Sequence, residues 1–291
     1  MGQGRNLTTN FSNSTYNGLQ LEVRHPVGRG LQVQANYTYS KTLSDAAGNV
    51  QTDFEPLLDV HNPRIEKSRP AGFDVTHVFK ANSSYELPFG DGHKLTAGDK
   101  GVRRLMSGWN TAGILDIQSG APFSVISGIS GTNSRGTLNR ANRSANNTAF
   151  STLSNSQLRD LMGFRMTPSG PYFIAASAIG PDGRGVAPDG AAPFNGQVFY
   201  NAGPGTLGTV QRNFFSGPSI WSLDMKLSKT TRIREKETLE IRLDSLNVLN
   251  HPTFAIGNQY IDSTTFGKIT ATGTALSSSR RLVQLSVSYR F

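Results

Sequence analysis

Apolar and polar residues alternate in segments spread along the whole chain. Leu19, Leu21 and Val23 alternate with Gln20, Glu22 and Arg24. Leu31, Val33, Ala35, Tyr37 and Tyr39 alternate with Gln32, Gln34, Asn36, Thr38 and Ser40. Phe79, Ala81, Ser83, Tyr85 and Leu87 are interleaved with Lys80, Asn82, Ser84 and Glu86. Trp109, Thr111, Gly113, Leu115 and Ile117 oppose Asn110, Ala112, Asp116 and Gln118, with Ile114 as the exception. Trp221, Leu223, Met225 and Leu227 oppose Ser222, Asp224, Lys226 and Ser228. Leu239, Ile241 and Leu243 oppose Glu240, Arg242 and Asp244, after which the phase slips near Ser245, as at a bulge. Val283, Leu285, Val287, Tyr289 and Phe291 close the series against Gln284, Ser286, Ser288 and Arg290. Successive side chains of a strand point to opposite faces, so each segment predicts a strand with one apolar and one polar face. The pattern predicts about seven such strands and no helix of any length.

Connection lengths select an arrangement. Short links run through Pro26–Gly30, from Pro88–Gly92 on to Ser107, and from about Lys229 to Lys236. Between them fall long ones, about Lys41–Gly72, Ala121–Gly217 and Asn250–Arg280. Strict short–long alternation in an up-and-down sheet puts every short turn at one end and every long loop at the other. Outer-membrane barrels have that asymmetry, with short periplasmic turns and long extracellular loops. Strands near ten residues also suit a tilted crossing of the hydrocarbon layer. The expected fold is therefore all-β, an antiparallel up-and-down transmembrane β-barrel segment. A complete small barrel would need an eighth strand, at Phe123–Ile129 or Met1–Asn10, and a signal peptide. The lumen-facing candidates are Glu22, Arg24, Lys80, Glu86, Asp116, Asp224, Lys226, Glu240, Arg242, Asp244 and Arg290. Their mixed signs on neighbouring strands point to interior salt bridges and contacts to a plug. Tyr37, Tyr39 and Trp221 at one end, and Tyr85, Phe89, Trp109, Tyr289 and Phe291 at the other, suit two interfacial girdles. Two other readings fit the alternation: a self-contained small outer-membrane barrel with an adhesive or structural role, and a soluble secreted glycan-binding β-sandwich.

Composition narrows the chemistry. The net charge of +9 comes from 29 basic and 20 acidic residues. It is spread without runs of like charge, which argues against a nucleic-acid role. Lipopolysaccharide phosphates are suitable counter-charges. Cysteine is absent, which removes disulfides, thiolate metal sites and thiol nucleophiles. Tyr172–Ile179 is far too short for a membrane helix. Met1–Leu7 has neither the basic nor the apolar region of a secretory signal, so a fragment of a longer protein is expected. Asp74-Val-Thr-His77 holds two members of a hydrolytic triad, but no Gly-x-Ser-x-Gly surrounds a serine, so no enzyme activity is expected. The five histidines show no i, i+4 pair, and no cofactor or metal is expected. Asp182-Gly183 and Asp189-Gly190 read as turns, without the alternating carboxylates of a calcium loop. Sequons such as Asn6-Leu-Thr8 and Asn142-Arg-Ser144 carry little weight in a chain this rich in Asn, Ser and Thr. The loop from about 128 to 216 is the expected ligand-contacting element. Its stretch from Asn133 to Asn155 is suited to hydrogen-bonding a sugar, a peptide or lipopolysaccharide.

Several segments carry a family resemblance. They are Tyr16-Asn-Gly-Leu-Gln-Leu-Glu-Val23, Gly30-Leu-Gln-Val-Gln-Ala-Asn-Tyr-Thr-Tyr-Ser-Lys41, Phe73-Asp-Val-Thr-His-Val-Phe79, Tyr85-Glu-Leu-Pro-Phe-Gly90 and Gly108-Trp-Asn-Thr-Ala-Gly113. Further along stand Gln118-Ser-Gly-Ala-Pro-Phe-Ser-Val125, Leu246-Asn-Val-Leu-Asn-His-Pro-Thr-Phe254, Phe266-Gly-Lys-Ile-Thr270 and the terminal strand. In this order they resemble the barrel of Oar-like TonB-dependent transporters of the acidobacterial type. The resemblance implies that residues 1–291 are the C-terminal portion of a barrel of about 22 strands. The signal peptide, carboxypeptidase-regulatory-like domain, plug and TonB box would lie outside this chain. It implies a receptor for an unidentified nutrient in the bacterial outer membrane, energised through TonB in the whole protein. The partners implied are outer-membrane lipid and lipopolysaccharide, the barrel-assembly machinery, and the missing plug and strands through which TonB acts. Val287, Tyr289 and Phe291 resemble the C-terminal assembly signal of such barrels.

Overall fold

The computed structural model describes residues 12–27, 30–45, 64, 67–70, 73–89, 99–127, 147–202, 206–271 and 280–291. The principal element is a seven-stranded antiparallel sheet whose strands lie side by side in chain order. They are β1 (Ser14–Val27), β2 (Leu31–Ser44), β3 (His77–Glu86), β4 (Trp109–Gln118), β5 (Ile220–Arg232), β6 (Thr238–Leu246) and β7 (Leu282–Arg290). The short connections therefore lie at one end and the three long ones at the other. Residues 28–29 of the first turn, and Gly90 with most of the stretch before Lys100, lie outside the described residues.

Registers are unbroken across all six pairings, and every paired sum of residue numbers is even. Directly opposed residues share a face. Odd-numbered residues thus form one face of the entire sheet and even-numbered residues the other. Val23, Ala35, Ala81, Leu115 and Leu223 make one lateral row of the odd face. Leu31, Tyr85, Thr111, Leu227, Leu243 and Leu285 make another. Tyr37 and Trp221 share a row through Phe79 and Ile117 near the long-connection end, while Trp109, Ile241 and Val287 lie toward the other end. Ile114 remains the exception, exposed among polar neighbours of the even face. The expected phase slip at Ser245 does not occur. Ser245 holds its odd position opposite Met225 and Val283, and pairing continues to Leu246. The alternation ends there because the strand ends, and Asn247 turns into the left-handed region at φ 48°.

Among the described residues no second layer covers the odd face: Leu21, Val23, Leu285 and Val287 are each more than half exposed. The buried core lies in the long connections instead. Phe123, Val125, Leu158, Phe173, Phe199, Phe215, Ile261 and Phe266 belong to it, drawn from residues 119–219 and 251–271. Two helices contradict the expectation of none: α1 (Lys100–Met106), in a short connection, and α2 (Asn155–Leu161), in a long one. Ser154 and Gln157 form a capping box on α2, supplying the free N–H groups of its first turn. Next to α2, Met162–Thr167 and Gly170–Ile174 form a hairpin. Pro122–Phe123 pairs with Phe215–Ser216, so this candidate eighth strand belongs to the loop body and does not extend the sheet. The other candidate, Met1–Asn10, lies outside the described residues. The long loop is thus a packed body over its described residues. Its apolar side chains project from short pieces joined by turns, so neither a period of two nor of 3.6 exposes them in the sequence.

Candidate functional site

The even face gathers charge. Glu22, Lys80 and Asp116 fall in one lateral row with Asn36 and Ser222; Arg24 and Asp224 fall in the next, with Ile114 between their strands. Lys226 opposes Asp244, and Glu86 reaches Arg242 through Asn110 and Ser228. Glu240 opposes Ser288, and Arg290 opposes Thr238. The structure therefore brings together on one face every charged residue named from the alternation. Lys80 Nζ stands 3.1 Å from Asp116 Oδ1, Arg242 Nε 2.7 Å from Asp244 Oδ2, and Arg290 Nη2 3.7 Å from Glu240 Oε2. Arg24 pairs with Glu22, which also accepts a hydrogen bond from Gln34 Nε2 at 2.8 Å. These pairs are partly solvated, and such pairs contribute at most about 1 kcal/mol each. Their effect is to cancel charge along the face.

Asp224 has a different job. Its Oδ1 accepts the backbone N–H of Asn247 at 2.7 Å, and the Asn247 side chain bonds both the N–H and the carbonyl of His251. The His251 ring then stacks on Trp221, with centroids 3.9 Å apart. A charged residue of β5 thereby fixes the path by which the chain leaves β6.

Where the sheet meets the loop body, Arg69 and Asp74 form a buried hub. Arg69 Nε donates to Asp74 Oδ2 at 2.6 Å, and the Asp74 side chain is wholly buried. The other Asp74 oxygen accepts the Thr42 N–H of β2 at 2.7 Å. Arg69 also donates to Ser216 Oγ and Thr76 Oγ1, each at 2.9 Å, while its carbonyl accepts Asn213 Nδ2 at 2.7 Å. Ser119 Oγ accepts the N–H groups of both Thr76 and His77. Sequence reading missed Arg69, Asn213 and Ser119. The Ser119–Gly120 pair in a quoted motif was the available signal, since Gly120 meets the backbone of Gly217 so closely that no side chain fits.

The two candidate triad members take different partners. Asp74 is held in the hub, and His77 Nδ1 lies 2.8 Å from the Tyr37 hydroxyl on the odd face. Asp182 accepts the N–H of Arg184 beside Gly183 at φ 84°, as a turn requires. Among the described residues, no three or more His, Asp or Glu side chains converge as metal ligands would. Of the Asn-rich stretch, residues 133–146 lie outside the described residues. Asn147 is buried and accepts the Gly208 N–H at 3.1 Å, and Asn155 opens α2. Val287 and Tyr289 stand exposed on the odd face, and Phe291 follows β7 with its ring 6.3 Å from Tyr289. His61 and His93, with both quoted sequons, lie outside the described residues.

Among known proteins, a family model described as "Outer membrane beta barrel domain" matches residues 3–284. No curated protein and no solved structure matches the chain.

Proposed function

The chain belongs to the outer membrane beta barrel domain family and resides in the bacterial outer membrane, and from that premise we propose that it is the C-terminal wall of an Oar-like, TonB-dependent receptor for a nutrient. One observation carries the reading: the seven-stranded sheet exposes a continuous apolar face, whereas its charged face carries ion pairs. A soluble sandwich would bury the apolar face against a second sheet. In a bilayer that face meets lipid, and the even face with Glu22, Lys80, Asp116, Asp224 and Arg242 lines the lumen. β1 and β7 each have one neighbour among the described residues. Unpaired backbone groups in hydrocarbon cost several kcal/mol each, which supports closure by further strands in a barrel of about 22. The body formed by the described residues of 119–219 and 251–271 then lies at the extracellular mouth as the ligand-contacting element. The partners are outer-membrane lipid, the assembly machinery, and the plug through which TonB acts. The part played by this chain is transport, with no catalysis.

The test compares the chain alone, carrying a signal peptide, with the chain supplied together with the upstream plug and strands. Outer-membrane fractions are run unboiled and boiled. The expected result is a heat-modifiable band only in the second case, with nutrient uptake that stops when TonB is removed. A heat-modifiable band from the chain alone would establish a self-contained barrel and overturn the larger one. A soluble folded product would overturn the membrane-spanning reading altogether.

A further inference from the structure

We infer that helix α1, with the adjoining end of β5, is an interfacial anchor that binds the phosphate headgroups of inner-leaflet phospholipid. The inference rests on the membrane-spanning reading above.

The helix occupies a short connection, at the opposite end of the sheet from the loop body. Asp99 caps its start, accepting the N–H groups of Gly101 and Val102. Its last turn is fixed to the odd face. Lys229 of β5 donates through Nζ to the carbonyls of Arg104, Leu105 and Ser107 at 2.7–3.1 Å, while standing 5.2 Å from the Trp109 ring centroid. The Trp109 indole donates to the Leu105 carbonyl at 3.1 Å. Lysine on a lipid-facing position is costly unless its head escapes, and here the stem follows the strand while the ammonium closes the helix C-terminus.

Held in this way, α1 turns Val102 and Leu105 outward, 45% and 67% exposed. They are three residues apart and share one helix face. Both lie beyond Trp109, so they prolong the apolar belt past the strand ends. Cations frame them. Arg103 and Arg104 lie in the last turn, Arg104 Nη2 donates to the Arg232 carbonyl at 2.9 Å, and Arg232, the last residue of β5, and Arg234, paired with Glu237 in the β5–β6 turn, are exposed beside it. An apolar pair inside a basic rim at the edge of a lipid-facing belt is the pattern of a segment lying in a membrane interface, with cations on headgroup phosphates. At the loop-body end the belt aromatics pack on histidines instead: Tyr37 and Tyr39 on His77, and Trp221 on His251.

The chain has no cysteine, so single thiols placed in it are unique within it. Leu105→Cys, Glu235→Cys and Leu223→Cys are each labelled with nitrobenzoxadiazole. The protein, in the assembly in which it folds, is reconstituted into phosphatidylcholine vesicles with or without phosphatidylglycerol. The rate of reduction by impermeant dithionite is then measured. With anionic lipid, the label at 105 should react about five-fold more slowly than at 235, as an interfacial apolar residue would. In the Arg103→Gln/Arg104→Gln background that protection should fall to the level seen in phosphatidylcholine alone. Equal rates at 105 and 235, or protection indifferent to both lipid charge and the two arginines, would overturn the inference. Rapid reduction at 223 as well would instead overturn the membrane-spanning reading on which it rests.

Discussion

Asp74 joins three parts of the chain that are distant in sequence: β2 through Thr42, the first long connection through Arg69, and, through Arg69, Ser216 at the return from the second. Its side chain is fully buried and that of Arg69 is 15% exposed. Removing one member of such a pair leaves an uncompensated charge, at a cost of about 3–5 kcal/mol. Asp74→Ala should lower the thermal midpoint of the folded protein and open the segment carrying Arg69 and Asp74 to protease. The Arg69→Ala/Asp74→Ala double variant should lose clearly less than the sum of the two single losses, because the pair acts as a unit. Strict additivity would show that the two residues act independently. Glycines make a second test at this scale. Gly108 (φ 77°) and Gly190 (φ 82°) both take a positive φ of nearly the same size. A methyl group on Gly108 would collide with the Thr230 backbone, whereas on Gly190 it would meet nothing within 4 Å. Gly190→Ala should therefore cost only conformational strain, about 1 kcal/mol. Gly108→Ala should in addition disrupt the hydrogen bond from Thr230 N–H to the Gly108 carbonyl, where β4 meets β5. Folded yields of the two variants, compared by unboiled gel migration, check this; equal yields would refute the collision argument.

At the scale of elements, the strands were legible because a period of two is imposed by geometry and by solvent together. Most odd positions are apolar and most even positions polar in the seven strands, and six unbroken registers carry one parity across the sheet. The chain ends of the strands were less legible. β1 and β2 extend to 14 residues each, through Tyr16 and Thr42, where apolar and polar residues no longer alternate cleanly. Beyond the membrane belt, β2 meets protein: Ser40, Thr42 and Ser44 are buried, Ser40 donating to the Val75 carbonyl and Ser44 bridging Ser68. Ser245 misled the reading for a related reason, since one serine on the apolar face mimics a change of phase. Helix α1 was hidden by its length, two turns being too short for periodicity to register. Parity itself can be tested at two adjacent residues. Ala81 lies on the odd face in the row of Leu115 and Leu223, and Asn82 on the even face. Arginine at a lipid-facing midplane position costs about 2–4 kcal/mol. Ala81→Arg should sharply reduce the heat-modifiable fraction, and Asn82→Arg should leave it nearly unchanged. A reversed order of effects would invert the assignment of the faces.

The whole molecule consists of two parts stabilised in different solvents. Among the described residues the sheet has no apolar core of its own; its odd face is exposed and its even face is polar, so on the proposed reading lipid covers the first and water or further protein the second. The loop body is an ordinary water-soluble core in miniature. Phe199 and Ile261 are fully buried, Phe199 and Phe266 meet edge to face at 5.7 Å, and Phe123 packs between Phe173 and Phe215. Two connections build it, since the bridge between Ile126 and Tyr260 joins the second to the third. That pairing of distant segments is what sequence reading could not supply: each segment alone is a polar, Gly-rich stretch with scattered aromatics, and only their association removes the aromatics from water. The division makes a prediction about cooperativity. Phe199→Ala removes a fully buried ring, for which the usual cost is about 3–5 kcal/mol. A loop body sustained by its own core should then open between 147 and 216 to external protease, while β1–β7 stay protected and the gel band remains heat-modifiable. If sheet and loops are instead one cooperative unit, the same substitution should abolish heat modifiability together with protease resistance. Separate loss is the expected outcome, because the hub at Arg69 and Asp74 bonds the two parts through polar contacts at their junction while the apolar core lies wholly within one of them.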